Sequence, residues 1–287
     1  MIYLLLSILS STAIFIIFRS LKKYKVNTPQ TIVCNYVAAC ITGLWLYSGS
    51  LDISIITASN WFIGAFCLGF LFISIFNVMA WTSQTNGLSV ASVASKMSVI
   101  IPVIFGVYAY NEGVGAQKVI GILIALLAVY LTSIKPKEDI SLSKSLHLPI
   151  ILFIGSGIID TSIKYLETTY VALDDIPIFS ATIFACAAVL GFIVLAYTIG
   201  IKKQPFEIKA IPFGIALGIV NYCSIFFLLK ALQIEGLESS TLFTVNNVAI
   251  VALTTLVGLL LFKENISKLN WLGISLAFVA IILVTLA

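Results

Sequence analysis

The chain has 287 residues, of which 60% are hydrophobic and only 10% charged, with a formal net charge of +4. Soluble domains run at about 45–50% apolar and about 25% charged, so this composition excludes a water-soluble globule and makes lipid the solvent. The positive charge is spread over short connecting segments, its longest cluster being Lys22, Lys23 and Lys25, which excludes a nucleic-acid surface of clustered basic residues.

A spanning helix needs about 20 mostly apolar residues, and ten segments meet that requirement: 2–18, 30–48, 60–81, 88–110, 116–134, 147–166, 176–199, 209–231, 237–262 and 268–286. A membrane β-barrel would instead show alternating segments of roughly 10 residues, whereas these runs are continuous and about twice that length. The fold expected is an all-α membrane protein of ten spans. The first run, Ile2 to Phe18, is followed by basic residues and not preceded by them, the reverse of a secretory signal, so it reads as a permanent first span. The longest connection, 135–146, holds Pro136 and five charged residues near the middle of the chain. It divides the chain into 1–134, a linker, and 147–287. Cys34, Cys40, Cys67, Cys186 and Cys223 all lie in apolar runs without a CxxC pair, and read as small hydrophobes.

The two halves resemble each other. Leu68-Gly69 in span three matches Leu217-Gly218 in span eight, and Gly87-Leu88 matches Gly236-Leu237, both at an offset of 149. Glu112 then matches Glu264 and Gly121 matches Gly273 at an offset of 152. Two five-helix halves must lie in the membrane with opposite orientation, and the charges flip accordingly. Arg19, Lys22, Lys23 and Lys25 follow span one, whereas Glu167, Asp174 and Asp175 follow span six. No Lys or Arg follows span two, whereas Lys202, Lys203 and Lys209 follow span seven. Inverted repeats with a midplane site are a recurrent transporter architecture. The positive-inside rule puts the odd-to-even loops in the cytoplasm and both termini outside, in a bacterial-type inner membrane.

Spans four and five read Gly87-Leu-Ser-Val-Ala-Ser, Pro102, Glu112, Gly121, and spans nine and ten read Gly236-Leu-Glu-Ser-Ser-Thr, Lys263-Glu264, Gly273. These resemble the repeated unit of the EamA-type drug/metabolite transporter superfamily, over essentially the whole chain. The resemblance implies a ten-helix transporter in which spans one to four and six to nine surround a central cavity, with spans five and ten outside it. It also implies cytoplasmic termini, against the charge count. The distance from Pro102 to Glu112 is shorter than the family's usual ending of span four.

A charge at membrane depth costs roughly 2.5–3.5 kcal/mol on insertion scales, so each such residue must be paired, wet or functional. Lys96 lies in span four among Ser92, Ser95 and Ser98. It either meets an anionic substrate group in the cavity or partners a carboxylate on another helix. Asp160 and Lys164 in span six stand one turn apart on one face. They are either a proton or cation coupling site or an internal salt bridge. Asn35, Tyr36, Asn77, Asn221, Tyr222, Asn246 and Asn247 lie in spans two, three, eight and nine. They would give a cavity a polar uncharged lining, or serve as interhelical glue at roughly 0.6–2 kcal/mol per hydrogen bond. Glu112 and Glu264 read as structural, each favouring the N-terminus of the helix that follows it. His147 reads as interfacial.

A secondary transporter of a small polar metabolite is therefore expected, amino-acid-like compounds favoured by the mixture of signs, working as an exporter or exchanger by alternating access. A lipid-linked substrate flippase is the alternative. A membrane transferase would need clustered acids for Mg²⁺–phosphate, and the close pairs Glu138-Asp139 and Asp174-Asp175 both fall in loops. No enzyme, metal or cofactor motif is present, and no nucleotide-binding motif. Small residues at Gly121, Ala125 and Ala128 in span five and Gly273 and Ala277 in span ten permit close helix contact, either within the chain or in a homodimer.

Overall fold

The structure, a computed structural model, describes residues 2–47, 49, 52–102, 104–105, 115–133, 142–172, 175–232 and 239–285. Among the described residues there is no strand, and eleven helices follow one another. They are α1 (Ile2–Lys23), α2 (Thr28–Leu46), α3 (Ile53–Ala58), α4 (Phe62–Thr85), α5 (Leu88–Met97), α6 (Ala116–Ser133), α7 (Leu142–Tyr170), α8 (Ile176–Gly200), α9 (Ala210–Leu232), α10 (Ser239–Phe262) and α11 (Lys268–Thr285).

Among the described residues six helices are long and apolar enough to cross a membrane: α1, α4, α7 over Leu146–Ile163, α8, α9 over Ala210–Leu228, and α10 over Val245–Phe262. They match expected spans one, three, six, seven, eight and nine. The other four expected spans are not among these six. α2 has 19 residues, but Thr28, Gln30, Thr31 and Asn35 make its first half polar. Span four, expected over 88–110, is helical through α5 and residues 100–102, and residues 103 and 106–110 lie outside the described residues. α6 and α11 are apolar over the described stretches Val119–Thr132 and Lys268–Leu283. Most of the expected linker also lies outside the described residues. Its last part is helical, because α7 opens at Leu142 and carries Pro149 inside it. The connection between α2 and α4 contains the short α3, none of whose residues is buried. Asp52 caps α3 by accepting from the Ser54 amide at 2.9 Å.

The chain forms two compact units, each drawing on both sequence halves: Met1–Ser20, Val78–Ile158 and Cys223–Ala287 in the first, Leu21–Asn77 and Ile159–Tyr222 in the second. The core of the first is apolar, with Val93, Met97 and Ile100 near α5, Ala125, Ala128 and Val129 on α6, Val251 on α10, and Ile274, Ala277, Ala280 and Ile281 on α11. α6 and α11 run against each other over most of their length. The small residues make that possible. A Cβ at Gly273 would stand 2.8 Å from the Thr132 amide nitrogen and 3.0 Å from the Ala128 carbonyl. The stripe noted in the sequence is thus occupied by contact within the chain. At the end of this pair, Ser267 and Asn270 form a reciprocal cap on α11. The Asn270 amide also donates to the Leu131 and Thr132 carbonyls that close α6.

In the second unit α2 packs along α8 and against the first part of α9. Gly214 and Gly218, one turn apart, let α9 approach. A Cβ at Gly218 would touch the Asn35 carbonyl oxygen and stand 2.6 Å from Ala38 Cβ and 2.9 Å from the Ala39 amide nitrogen. Gly69 on α4 makes the same contact with α8. Its Cβ would meet the Ile183 carbonyl at 3.1 Å, Cys186 Cβ at 2.7 Å and the Ala187 amide nitrogen at 2.9 Å. The three atoms belong to residues each 148 positions after Asn35, Ala38 and Ala39, and the two glycines are the pair matched in the sequence.

Two turns close one end of this unit. α1 ends in a Schellman turn, with the Val26 amide donating to Leu21 and the Lys25 amide to Lys22. The turn is clasped to the one after α8. Glu207 accepts from the Asn27 amide at 3.0 Å, the Glu207 amide donates to Gln30 Oε1 at 2.8 Å, and Gln30 Nε2 donates to the Pro205 carbonyl at 3.0 Å.

Candidate functional site

The close approach of α2 and α9 decides which side chains meet. Gly214, Gly218 and Asn221 follow at i, i+4 and i+7, so the face that touches α2 ends in an amide. Asn221 Nδ2 donates to Asn35 Oδ1 at 3.3 Å, and both residues are buried. The next residue on each helix is a tyrosine. The Phe184 ring of α8 sits between them, stacked on Tyr36 at 6.1 Å and edge-on to Tyr222 at 6.4 Å. Phe76 lies 5.8 Å from Tyr36, and Phe72 lies 5.8 Å from Phe184. The Cβ position of Gly43 is within 2.8 Å of the Tyr222 ring. Two donors in this core, Asn35 Nδ2 and Tyr36 Oη, are buried without a hydrogen-bond partner. An unmet buried polar group costs about 1–3 kcal/mol, so this cluster carries unspent capacity to bind a polar molecule that reaches it.

The remaining site candidates are placed as follows. Asn77, half-buried in the second unit, turns its amide back onto the Ile73 carbonyl of its own helix at 2.7 Å. Asp160 is exposed on α7 of the same unit, and the side chain of Lys164 lies outside the described residues. Lys96 is half-buried on α5 in the first unit, on a helix whose Ser92, Ser95 and Ser98 are buried. Ser92 is joined to Thr254 of α10 at 2.7 Å. Asn246 and Asn247 are buried on α10, and Asn246 Oδ1 has no partner. The structure therefore gathers Asn35, Tyr36, Asn221 and Tyr222 into one cluster of the second unit. Lys96, Asn246 and Asn247 belong to the first unit.

A second polar site went unread in the sequence. Arg19, at the end of α1, donates from Nη1 to the Ser83 and Gln84 carbonyls at 2.9 and 2.7 Å, capping α4. Its Nε stands 3.8 Å from Glu264 Oε1. Glu264 in turn accepts from the Leu88 amide at 2.7 Å, the first amide of α5. This corrects the expectation that Glu264 serves the helix after it: α11 has its own cap at Ser267, and Glu264 serves α5, which opens on Gly87 with no side-chain cap. Residue 112 lies outside the described residues. A cavity of about 220 Å³ adjoins the pair, lined among others by Asn86, Ser89, Lys263 and Asn270. Helix-end arginines and acids between spans are the signal that could have found it, but nothing in the spacing pairs these two. All five cysteines are free, and Cys67 is exposed while the others are half-buried. Among the described residues no group of three His, Cys, Asp or Glu could hold a metal.

No protein-family profile matches the chain. A protein of Haemophilus influenzae (strain Rd), itself uncharacterized, is 28% identical over 284 residues, covering 97% of this chain and 95% of its own length. A crystal structure at 14% identity aligns over 98% of this chain and 97% of its own with a TM-score of 0.55, a likeness of fold alone.

Proposed function

We propose that this chain is a secondary transporter of a small polar metabolite, built of ten spans in two inverted five-helix repeats as in the EamA-type drug/metabolite transporters it resembles. The observation that carries the reading is the buried amide–tyrosine cluster of Asn35, Tyr36, Asn221 and Tyr222, with two donors unmatched. Polar side chains with spare hydrogen-bonding capacity are costly in an apolar helical protein and mark substrate pathways. The reciprocal glycine contacts support the repeat, since Gly218 meets α2 as Gly69 meets α8. So does the pairing of α2 with α8 and of α6 with α11, the expected spans two with seven and five with ten.

In this reading Asn35, Tyr36, Asn221 and Tyr222 hold the uncharged polar part of the substrate. Lys96, Asn246 and Asn247 of the first unit are retained as sequence candidates for substrate contact, Lys96 for an anionic end, and Asn77 as a candidate in the second unit. Asp160, with Lys164, couples transport to protons. The substrate is amino-acid-like, moved outward or by exchange across an inner membrane.

The test is thermal stabilisation of purified protein by amino acids, nucleosides, sugars and organic cations, in wild type, Tyr36→Phe and Lys96→Met. An amino-acid-like compound should stabilise the wild type, and less so both variants. Equal stabilisation of all three proteins would remove these residues from the site. No response to any polar compound would sink the metabolite reading. Asp160→Asn should abolish gradient-driven accumulation in vesicles while leaving exchange intact, and unchanged pH dependence would refute its coupling role.

A further inference from the structure

The two turns clasped at one end of the second unit bring six lysines together. Lys22 and Lys23 end α1 and Lys25 follows it, Lys202, Lys203 and Lys209 follow α8, and all six are exposed. The three hydrogen bonds among Asn27, Gln30, Pro205 and Glu207 hold the turns side by side. Glu207 is the one carboxylate in residues 22–30 and 201–209. It is half-buried and turned into the clasp, where it accepts from the Asn27 amide, so its charge is engaged at the base of the lysine surface. Exposed apolar and aromatic residues flank the lysines: Tyr24, Tyr197, Ile201, Phe206 and Ile208. Lys23 lies over the Tyr24 ring and Lys202 over Tyr197. Aromatic and aliphatic groups beside cations suit the boundary between acyl chains and headgroups.

Lys25 and Lys203 have φ of 53° and 51°, in the left-handed region. Turns that close helices ordinarily place glycine there, because a Cβ is strained in that conformation. Both of these turns carry lysine instead. The same conformation recurs at Lys263 (φ 49°), after α10 and outside this surface, so these positions show only that glycine can replace lysine there without backbone strain.

We propose that this surface is a docking site for the phosphate headgroups of anionic phospholipids in the leaflet it faces. The proposal rests on the membrane reading alone and not on the substrate. Charge complementarity selects the occupant. Six exposed cations stand around one engaged carboxylate, at the ends of two helices long enough to cross a bilayer, and basic clusters beside spanning helices attract anionic lipid.

The experiment is native mass spectrometry of the detergent-purified full chain, titrated with phosphatidylglycerol or with phosphatidylcholine of the same acyl chains. Wild type should bind phosphatidylglycerol at least tenfold more tightly. Lys25→Gly/Lys203→Gly should weaken phosphatidylglycerol by roughly fivefold per lysine, leave phosphatidylcholine unchanged, and leave the lipid-free melting temperature equal or higher. Merely structural lysines would not separate these readouts. Lys23→Gln/Lys202→Gln/Lys209→Gln, which spares both left-handed positions, should weaken phosphatidylglycerol in the same way. Equal binding of the two lipids by wild type, or full preference retained in both variants, overturns the headgroup site and leaves the bilayer reading standing. Binding of neither lipid overturns both.

Discussion

Gly218→Ala tests whether the contact between α2 and α9 builds the amide–tyrosine cluster. The added methyl would touch the Asn35 carbonyl oxygen and fall 2.6 Å from Ala38 Cβ and 2.9 Å from the Ala39 nitrogen. None of these atoms is the free end of a flexible side chain, so relief requires the two helices to part. Overpacking of this kind costs about 1–3 kcal/mol, and three fixed neighbours place Gly218 at the upper end. Alanine recovers about 1 kcal/mol of helix propensity over glycine. The net loss is about 2 kcal/mol, a fall of about 4–8 °C in melting temperature at about 2–4 °C per kcal/mol, measured by thermal unfolding of the detergent-purified protein. Gly69→Ala meets Ile183, Cys186 and Ala187 at slightly longer distances and should show a smaller loss of the same sign. Gly64→Ala is the control, since its Cβ meets mainly the terminal methyls of Leu166, which can rotate away. The reasoning fails if Gly218→Ala melts at or above wild type, or if Gly64→Ala loses as much.

Tyr36→Phe removes a buried hydroxyl that has no partner and should raise stability by about 1 kcal/mol while weakening substrate response. A loss of stability would show that the hydroxyl is engaged. Asn221→Leu takes away the donor to Asn35 and should cost about 1–3 kcal/mol. Adding Asn35→Leu should recover part of that, and a double-mutant cycle with no coupling would count against the bond. Arg19→Ala should destabilise by about 2–3 kcal/mol by leaving the Glu264 carboxylate, 9% exposed, without its cation. Glu264→Gln should cost less, since an amide oxygen can still accept from Leu88, and chemical denaturation in detergent would rank the two. The hydroxyl and amide of Ser54 hold the Asp52 carboxyl below its ordinary range. A depressed pKa means the cap on α3 is complete above the ordinary carboxylate pKa and fails as pH falls through the lowered one. The protection of residues 53–58 against hydrogen exchange, relative to their intrinsic rates at each pH, should therefore stay constant through neutral pH and fall only in strong acid.

Composition and run length carried the all-helical reading, because both act on every residue of a span. Among the described residues six helices reach membrane length and hydropathy, and length competes with polarity in α2, whose first half carries Thr28, Gln30, Thr31 and Asn35. The asparagine–tyrosine pairs stood out in the sequence because amides are rare in apolar runs. That the two pairs meet was not legible, since it depends on Gly214 and Gly218 facing α2. Gly214 carried no reading in the sequence, and Gly218 served there only as a repeat match. Arg19 and Glu264 escaped for another reason. Each looks like an ordinary helix-end residue, and only the folded chain sets one against the other.

The matched contacts of Gly69 and Gly218 separate what holds the helices from what lines the cluster. Asn35 and Asn221 correspond, at the offsets of their helices, to Ile183 and Phe72. The helix-to-helix geometry is kept on both sides, while the amide pair occurs on one and an aliphatic–aromatic pair on the other. Positions 35, 72, 183 and 221 can therefore diverge without disturbing the scaffold, because the glycine approach is made by neighbouring backbone and not by their side chains. With two matched helix contacts of this kind, the side chains at these four positions can change while the close approach of the backbones stays.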